Sequence, residues 1–197
     1  MSQLDEVLYD GFLSKFKKDE GVNCVKNINP RFDIEGFTDF FELFSGISFN
    51  GGLYHVLPYE NIDGATNAIQ NAFPQFAKRI IVFAFDWLGR AFAIDGARRL
   101  DNEPLILMFD LSNNEVVEVP CTFIQFHNEE LVTYTNDLLA SEYFQSYLVS
   151  GGRRPAPNEC CASKVPSFLG GSHAVCDLEI IDVYVFWHIT GQLLLKL

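Results

Sequence analysis

The segment IIVFAFDWLGRAFAI, residues 80–94, decides the fold class of this 197-residue chain. Residues 80–85 and 91–94 are rich in β-branched and aromatic side chains, which is typical of strands, and the residues between them have the length of a hairpin loop. Gly89 in this loop can adopt the positive φ that a tight turn requires. We therefore predict a β-hairpin here. A second one is predicted from residues 105–109 and 116–119.

Helical patterns lie on both sides of these hairpins. Four phenylalanines between residues 37 and 44 fall on one helical face, and a long helix is predicted from an N-cap at Asn128 to the glycines at 151–152. The order of helices, then strands, then helix predicts an α+β fold with a mostly antiparallel twisted sheet flanked by helices. We expect residues 1–197 to form one compact body.

Composition and charge narrow the class of protein. A hydrophobic content of 48% with 20% charged residues is typical of a chain that buries a core. The formal charge of −12 disfavours nucleic acid as a direct ligand, since phosphates require a basic face, and favours a basic partner. No apolar run approaches the roughly 20 residues of a membrane span, and the acidic N-terminus lacks the order of a signal peptide. Five cysteines, two of them adjacent, favour reduced thiols, so we expect a cytoplasmic protein.

The glycine-rich run GGSHA, residues 170–174, raises the question of catalysis. It is similar to the nucleophile elbow of α/β-hydrolases, and Ser172, Asp182 and His188 follow in the chain order of that triad. The three residues lie too close in sequence to come from separate strand ends of a large sheet. No phosphate-binding glycine motif occurs. We therefore expect no enzymatic activity, although a hydrolase using Ser172 stays an alternative.

One local group of thiols and an imidazole is a candidate for a metal site. Cys160, Cys161, His173 and Cys176 supply enough soft ligands for zinc, but adjacent cysteines close a tetrahedral site poorly and the usual Cys-x2-4-Cys spacing is missing. The other histidines, His55, His127 and His188, have no partner carboxylate or thiol at a recognisable spacing. We expect no metal and no cofactor, and we interpret these histidines as structural.

The C-terminal third resembles a known bacterial family. VPSFLGG (165–171), DLE (177–179) and DVYVFWHITGQL (182–193) are similar to the signature of the C-terminal domain of type VI secretion immunity proteins, which protect against a DNase toxin. FNGGLY (49–54) and FAFDWLGRAFAID (83–95) look like the GAD-like region that precedes this domain, and the second segment also looks like the core of SUKH-like proteins. The resemblance implies a GAD-like region at 1–110 and an immunity-type region at 120–197.

What the resemblance implies is a cytoplasmic inhibitor that occludes a cognate, basic, nuclease-like toxin without catalysis. It gives the C-terminal signature residues a structural role, as an apolar plug, a bend and a segment returned to the core: Phe168, Leu169, Gly170, Gly171, Trp187, Gly191 and Gln192. A non-catalytic scaffolding module of the same fold is the alternative. Loops vary without disturbing a core, so we predict toxin contacts in three of them: Asn50, Gly51, Gly52, Asp86, Trp87, Arg90, Arg153 and Arg154.

Overall fold

The computed structural model describes residues 8–19, 28, 31–172 and 174–197. Eight strands are found in this part of the chain: β1 (Ser48–Phe49), β2 (Tyr54–Val56), β3 (Ile80–Asp86), β4 (Ala91–Leu100), β5 (Glu103–Asp110), β6 (Glu115–Val119), β7 (Glu159–Ser163) and β8 (Leu178–Asp182). The α-helices of the same part are α1 (Asp10–Lys15), α2 (Phe37–Phe44), α3 (Ile62–Ala72), α4 (Phe123–Gln125), α5 (Leu131–Thr133), α6 (Thr135–Leu139), α7 (Ser141–Val149) and α8 (Val183–Leu194). None of these helices has the length and apolar character to cross a bilayer.

The central sheet is an antiparallel meander. Strands β1 to β6 lie in chain order, each hydrogen-bonded to its neighbour in the sequence, and β7 and β8 form a separate two-stranded ribbon. Both predicted hairpins are confirmed: β3 pairs with β4, β5 pairs with β6, and Gly89 has a φ of +75° in the first loop. With helices on both faces, the protein has the predicted α+β architecture.

Alternating strand residues send side chains to two apolar layers. Phe92 and Ile94 of β4 join the core on one face of the sheet, whereas Ala91 and Ala93 join the core on the other face. Phenylalanines of α1 and α2 fill the first core, and the aromatic rings surround the buried imidazole of His127. Helices α3 and α8 cover the second core. Most of the phenylalanine side chains in the described residues therefore lie in the first core.

The long helix predicted from Asn128 is wrong in its start and in its continuity. Helix α4 begins after Thr122, whose hydroxyl accepts the Gln125 amide while the Gln125 side chain accepts the Thr122 amide, which is a capping box. A π-helical stretch, Phe126–Glu130, joins α4 to α5, and Ala140, with a φ of +48°, separates α6 from α7. Asn128 instead binds α1, accepting from the Phe12 amide and donating to the Leu8 carbonyl.

The C-terminal residues form the β7–β8 ribbon followed by helix α8. Asp182 ends β8 and caps α8, because its carboxylate accepts the amides of Tyr184 and Val185. The amide of Cys161 in β7 donates to the carbonyl of Trp87, which attaches the ribbon to the β3–β4 loop of the central sheet. Helix α8 then packs on α3 across the second core.

Candidate functional site

The three loops with predicted toxin contacts meet at one end of the central sheet. The amide of Trp87 donates to the carbonyl of Leu53 at 3.2 Å, which joins the 86–90 loop to the 50–52 turn. A Cβ atom added to Gly52 would lie 2.6 Å from the carbonyl oxygen of Pro155, so the 153–157 loop lies directly against the same turn. Segments that are distant in sequence are therefore neighbours here.

The turn at Asn50 is hydrogen-bonded to the segment that follows α1. The Asn50 side-chain oxygen accepts the amide of Lys17 at 2.9 Å, and the Asp19 carboxylate accepts the amides of Gly51 and Gly52 at 2.6 and 2.8 Å. Both glycines have positive φ values and stand against the 153–157 loop. They are glycines for conformational and steric reasons, which leaves few side-chain atoms for a partner to contact.

Asp86 and Trp87 are not surface residues, so the prediction that they contact a toxin is wrong. Both have zero relative exposure. The Asp86 carboxylate forms an ion pair of 2.6 Å with the nearly buried Arg90 guanidinium and also accepts the amides of Leu88 and Arg90. The guanidinium in turn donates to the carbonyl of Leu138. The 86–90 loop therefore fastens the helical segment 123–149 to the sheet.

The exposed charged residues at this end are basic. Arg153 holds Glu159 through two hydrogen bonds of 2.7 and 2.9 Å, and Arg154 is exposed beside Gly51. Lys17 and Lys18 are also exposed where their backbone pairs with residues 49–50. We call Lys17, Lys18, Arg153 and Arg154 the basic end. Its charge has the wrong sign to complement a basic toxin, so these predicted contacts do not fit that partner.

The FLGG signature forms a bend, as predicted, but only half of the predicted plug. Phe168 is partly buried against the second core, whereas Leu169 is 49% exposed, so its assignment as an apolar plug is wrong. Gly170 has a φ of +87° and ends a short 3-10 turn. At Gly171, an added Cβ would lie 1.8 Å from the Val165 carbonyl oxygen, so this position excludes any side chain.

We expect Gly171→Ala to lower the free energy of unfolding by about 1–3 kcal/mol, because the backbone of residues 165–171 must move to admit the methyl group. Gly64→Ala is the matched control. Gly64 is exposed in α3 with nothing within 4 Å of its Cβ position, so this substitution should raise stability by about 0.5–1 kcal/mol. Urea unfolding of both variants measures the difference. An equal effect at the two positions would contradict the steric interpretation of the bend.

The remaining signature residues hold α8 in place. The Trp187 indole is fully buried and donates to the Gly89 carbonyl at 2.7 Å, in the β3–β4 loop. A Cβ added to Gly191 would lie 3.0 Å from the Cβ of Ala72, so glycine allows α8 to approach α3 closely. Gln192 is exposed and bonds only to His188 among the described residues. Two of these three positions therefore serve packing.

Ser172, Asp182 and His188 are engaged separately. The Ser172 hydroxyl accepts the amide of Ala174, the Asp182 carboxylate caps α8, and the His188 imidazole pairs with Gln192 one turn along the helix. No hydrogen bond among these three side chains is found in the described part of the chain. A nucleophile with an oriented base requires such contacts, so this arrangement does not favour hydrolysis.

The adjacent cysteines point to opposite faces of β7. Cys160 belongs to the second core and Cys161 to the first, as strand alternation requires. Burial raises the pKa of both thiols, which holds them protonated. Cys176 is exposed, and His173 lies outside the described residues. The two buried sulfurs cannot converge on one metal ion in this arrangement.

His55 and His127 are both completely buried, in agreement with a structural interpretation. The His55 Nδ1 pairs with the Ser48 hydroxyl at 2.7 Å, and its Nε2 has no hydrogen-bond partner among the described residues. The His127 Nε2 pairs with the Tyr54 hydroxyl at 3.0 Å. Burial lowers the pKa of each imidazole to about 3, so both are neutral at pH 7. His188, in contrast, is exposed.

A surface that sequence reasoning missed lies on the helical segment. Residues 100–152 contain nine Asp and Glu residues and no Lys or Arg. Tyr134 is 49% exposed at the break between α5 and α6, and four of these carboxylates lie within eight residues of it in the sequence. We call the following residues the acidic helix surface: Glu129, Glu130, Tyr134, Asp137 and Glu142. The absence of cations over this stretch was the signal in the sequence that could have revealed it.

The backbone of this surface is irregular. The π-helical stretch Phe126–Glu130 precedes Tyr134, and Ala140 adopts a left-handed conformation that costs an alanine about 1–2 kcal/mol. The amide of Glu142 donates to the Asn136 side chain at 3.0 Å, which places Glu142 beside the first turn of α6. π-Bulges and strained residues are enriched at functional sites. The π-helical stretch and the left-handed Ala140 distinguish the acidic helix surface from an ordinary solvated helix.

Comparisons with known proteins bear on the fold. No protein-family model matches the chain, and no curated protein matches it. A crystal structure of Atu4351 from Agrobacterium tumefaciens is similar, with a TM-score of 0.65 over 93% of this chain and 88% of that chain. The two sequences are 14% identical. The similarity shows that the two proteins share a fold.

Proposed function

We propose that this chain is an immunity protein that neutralises a basic, nuclease-like toxin by binding it and covering its substrate groove. The observation that carries the proposal is the acidic helix surface, where an exposed tyrosine and the exposed Glu129, Asp137 and Glu142 belong to a stretch without cations. A nuclease groove must be basic to hold phosphates, so a surface of this charge is complementary to it. The C-terminal sequence resemblance is the second support.

The spacing of the acidic helix surface suits a protein partner. Glu130, Tyr134 and Asp137 follow one another at intervals of four and three residues, and the Tyr134 amide donates to the Glu130 carbonyl, so they lie close together along the irregular helical segment. Tyrosine supplies a large amphipathic contact at low conformational cost and is enriched among the residues that dominate binding energy. Carboxylates around it would steer a basic partner and penalise an acidic one.

Charge reversal on the acidic helix surface should slow association with the toxin. For Glu129→Lys with Asp137→Lys, we expect the association rate constant at low salt to fall about tenfold or more, and its salt dependence to weaken. The control is Glu60→Lys with Glu115→Lys, which changes the net charge equally at exposed carboxylates outside this surface. The proposal predicts that the neighbouring reading frame encodes a nuclease-like toxin, and surface plasmon resonance against that protein measures both variants.

Coexpression tests the function itself. Wild-type protein should rescue cells from the neighbouring toxin, and the double variant on the acidic helix surface should rescue them less well than the control. Equal slowing of association by both double variants would remove the acidic helix surface from the proposal. A neighbouring frame that encodes no toxin, together with no toxin of the same organism that co-purifies with the protein, would favour a scaffolding module with another partner.

A further inference from the structure

One cavity of this acidic protein is lined by cations. It has a volume of about 520 Å³ and lies where β3 begins, between the 31–34 segment and the ends of β4 and β5. Arg31, Lys78, Arg79 and Arg99 all line it. Residues 32–77 and 100–152 contain no Lys or Arg at all, so the fold brings these four cations together from three separate places in the sequence. We call it the four-cation cavity.

A bulge in β4 opens the four-cation cavity. Asp95 pairs with Leu105 and Arg99 pairs with Pro104, so three residues of β4 stand out of the ladder between these two pairs. Pro104 has no N–H to donate to β4, which is typical of a proline placed at a bulge. Gly96 and Ala97 of the bulge line the cavity with small side chains. Bulges often aim side chains at functional sites.

Two of the arginines are held in position by carboxylates. The Arg79 guanidinium donates from Nε and Nη2 to the buried Asp95, at 2.8 and 2.5 Å, and lies 4.9 Å from the centre of the Phe76 ring. Arg31 donates to Asp63 at 2.7 Å and lies over the Tyr59 ring. A guanidinium has five N–H donors, so each arginine keeps donors for a ligand in a fixed orientation.

The other two cations share the cavity lining with a carboxylate, Asp33. Lys78 and Arg99 are exposed, and neither forms an ion pair with a described residue. Lys78 has a φ of +63°, a left-handed conformation at the start of the sheet. The apolar part of the cavity wall includes Phe32, Ile34 and Ile81. The site therefore combines fixed donors, net positive charge and an apolar wall.

We propose that the four-cation cavity binds a small molecule with an oxyanion attached to an apolar body, of the aryl phosphate type. Arg79 and Arg31 would donate to the oxyanion, because their free N–H groups already have fixed directions. Lys78 and Arg99 balance its charge. The apolar body packs against Phe32 and Ile34. This site is independent of the acidic helix surface and of the proposed toxin.

Phenyl phosphate is the probe that tests the site. In titrations followed by NMR, we expect the amide resonances of Gly96 and Ala97 to shift, with a Kd of about 1 mM. Inorganic phosphate, which has the charge alone, and phenol, which has the ring alone, should each bind at least about tenfold more weakly. Lys78→Asn with Arg99→Gln should weaken phenyl phosphate about tenfold, and asparagine tolerates the left-handed backbone of Lys78.

Arg154→Gln with Lys164→Gln is the matched control, because it removes the same charge at exposed positions outside the cavity. The control should keep the wild-type affinity. Lys78→Asn alone serves as a second variant if the double variant loses its native NMR dispersion. No shift with about 10 mM phenyl phosphate, or equal weakening by the control, would overturn the proposal. Equal affinity for inorganic phosphate would overturn the requirement for an apolar body.

Discussion

Between pH 7 and pH 5, the free energy of unfolding should fall by about 4 kcal/mol, because His55 and His127 are neutral in the folded protein and take up protons on unfolding. Burial lowers the pKa of each imidazole to about 3, against an ordinary value of 6.5. Between these two values the unfolded chain binds more protons than the folded one. The contribution of the two neutral histidines to the free energy of unfolding is therefore fully present above about pH 6.5 and is lost as the pH falls towards 3.

Urea unfolding at pH 7, 6 and 5 measures this loss, in a range where most carboxylates stay ionised. His127→Gln should lower stability at pH 7, since the Tyr54 hydroxyl loses its partner, but it should also remove about half of the pH-dependent decrease. His188→Gln is the control, because His188 is exposed on α8. If His188→Gln reduced the decrease as much as His127→Gln, the buried histidines would not be its source.

Asp86→Ala should lower the free energy of unfolding by about 3–5 kcal/mol, because it leaves the nearly buried Arg90 guanidinium without its counter-charge. The carboxylate also accepts two loop amides, from Leu88 and Arg90, and these lose their acceptor. The β3–β4 loop carries the hydrogen bonds that attach the helical segment, including Trp87 Nε1 to the Leu139 carbonyl at 2.9 Å. Displacement of α6 and α7 should accompany the loss of stability.

Asp63→Ala is the matched control for this ion pair. It breaks the Arg31–Asp63 pair, in which both side chains are at least one-third exposed, and should cost about 1 kcal/mol or less. Combining Asp86→Ala with Arg90→Met should recover part of the loss, since no uncompensated charge is then buried. Chemical unfolding at pH 7 compares the variants. A cost for Asp86→Ala no larger than that of Asp63→Ala would contradict this account.

Local chemistry made part of the fold predictable. The β3–β4 hairpin is encoded by an apolar run, a short polar loop and Gly89, all within residues 80–94. The start of the helical segment is equally local, because Thr122 and Gln125 have the spacing of a capping box, whereas Asn128 has only the residue type of an N-cap. The chain order of Asp182 resembles that of a triad member, but its local role is to cap α8.

The candidate site was less predictable, because burial depends on contacts between distant segments. A loop with Asp86, Trp87 and Arg90 has the composition of an exposed turn, and only the packing of residues 138–147 against it shows that it is buried. The basic end likewise depends on Arg154 lying beside Gly51. The long stretch without cations was visible in the sequence, but which of its carboxylates share a surface required the fold.

The meander order of β1 to β6 also bears on how the chain acquires its structure during synthesis from the N-terminus. Every strand of the central sheet pairs with its neighbour in the sequence, so the whole sheet can assemble once residue 119 has left the ribosome. At that point α3 is present on the second face, whereas α8 is still about 60 residues away in the chain. Part of that apolar face, including Phe85, is covered only after Trp187 has been synthesised. A nascent chain halted before α8 would therefore carry a complete central sheet with part of its second apolar face exposed to solvent. A chaperone would matter most in this interval of synthesis.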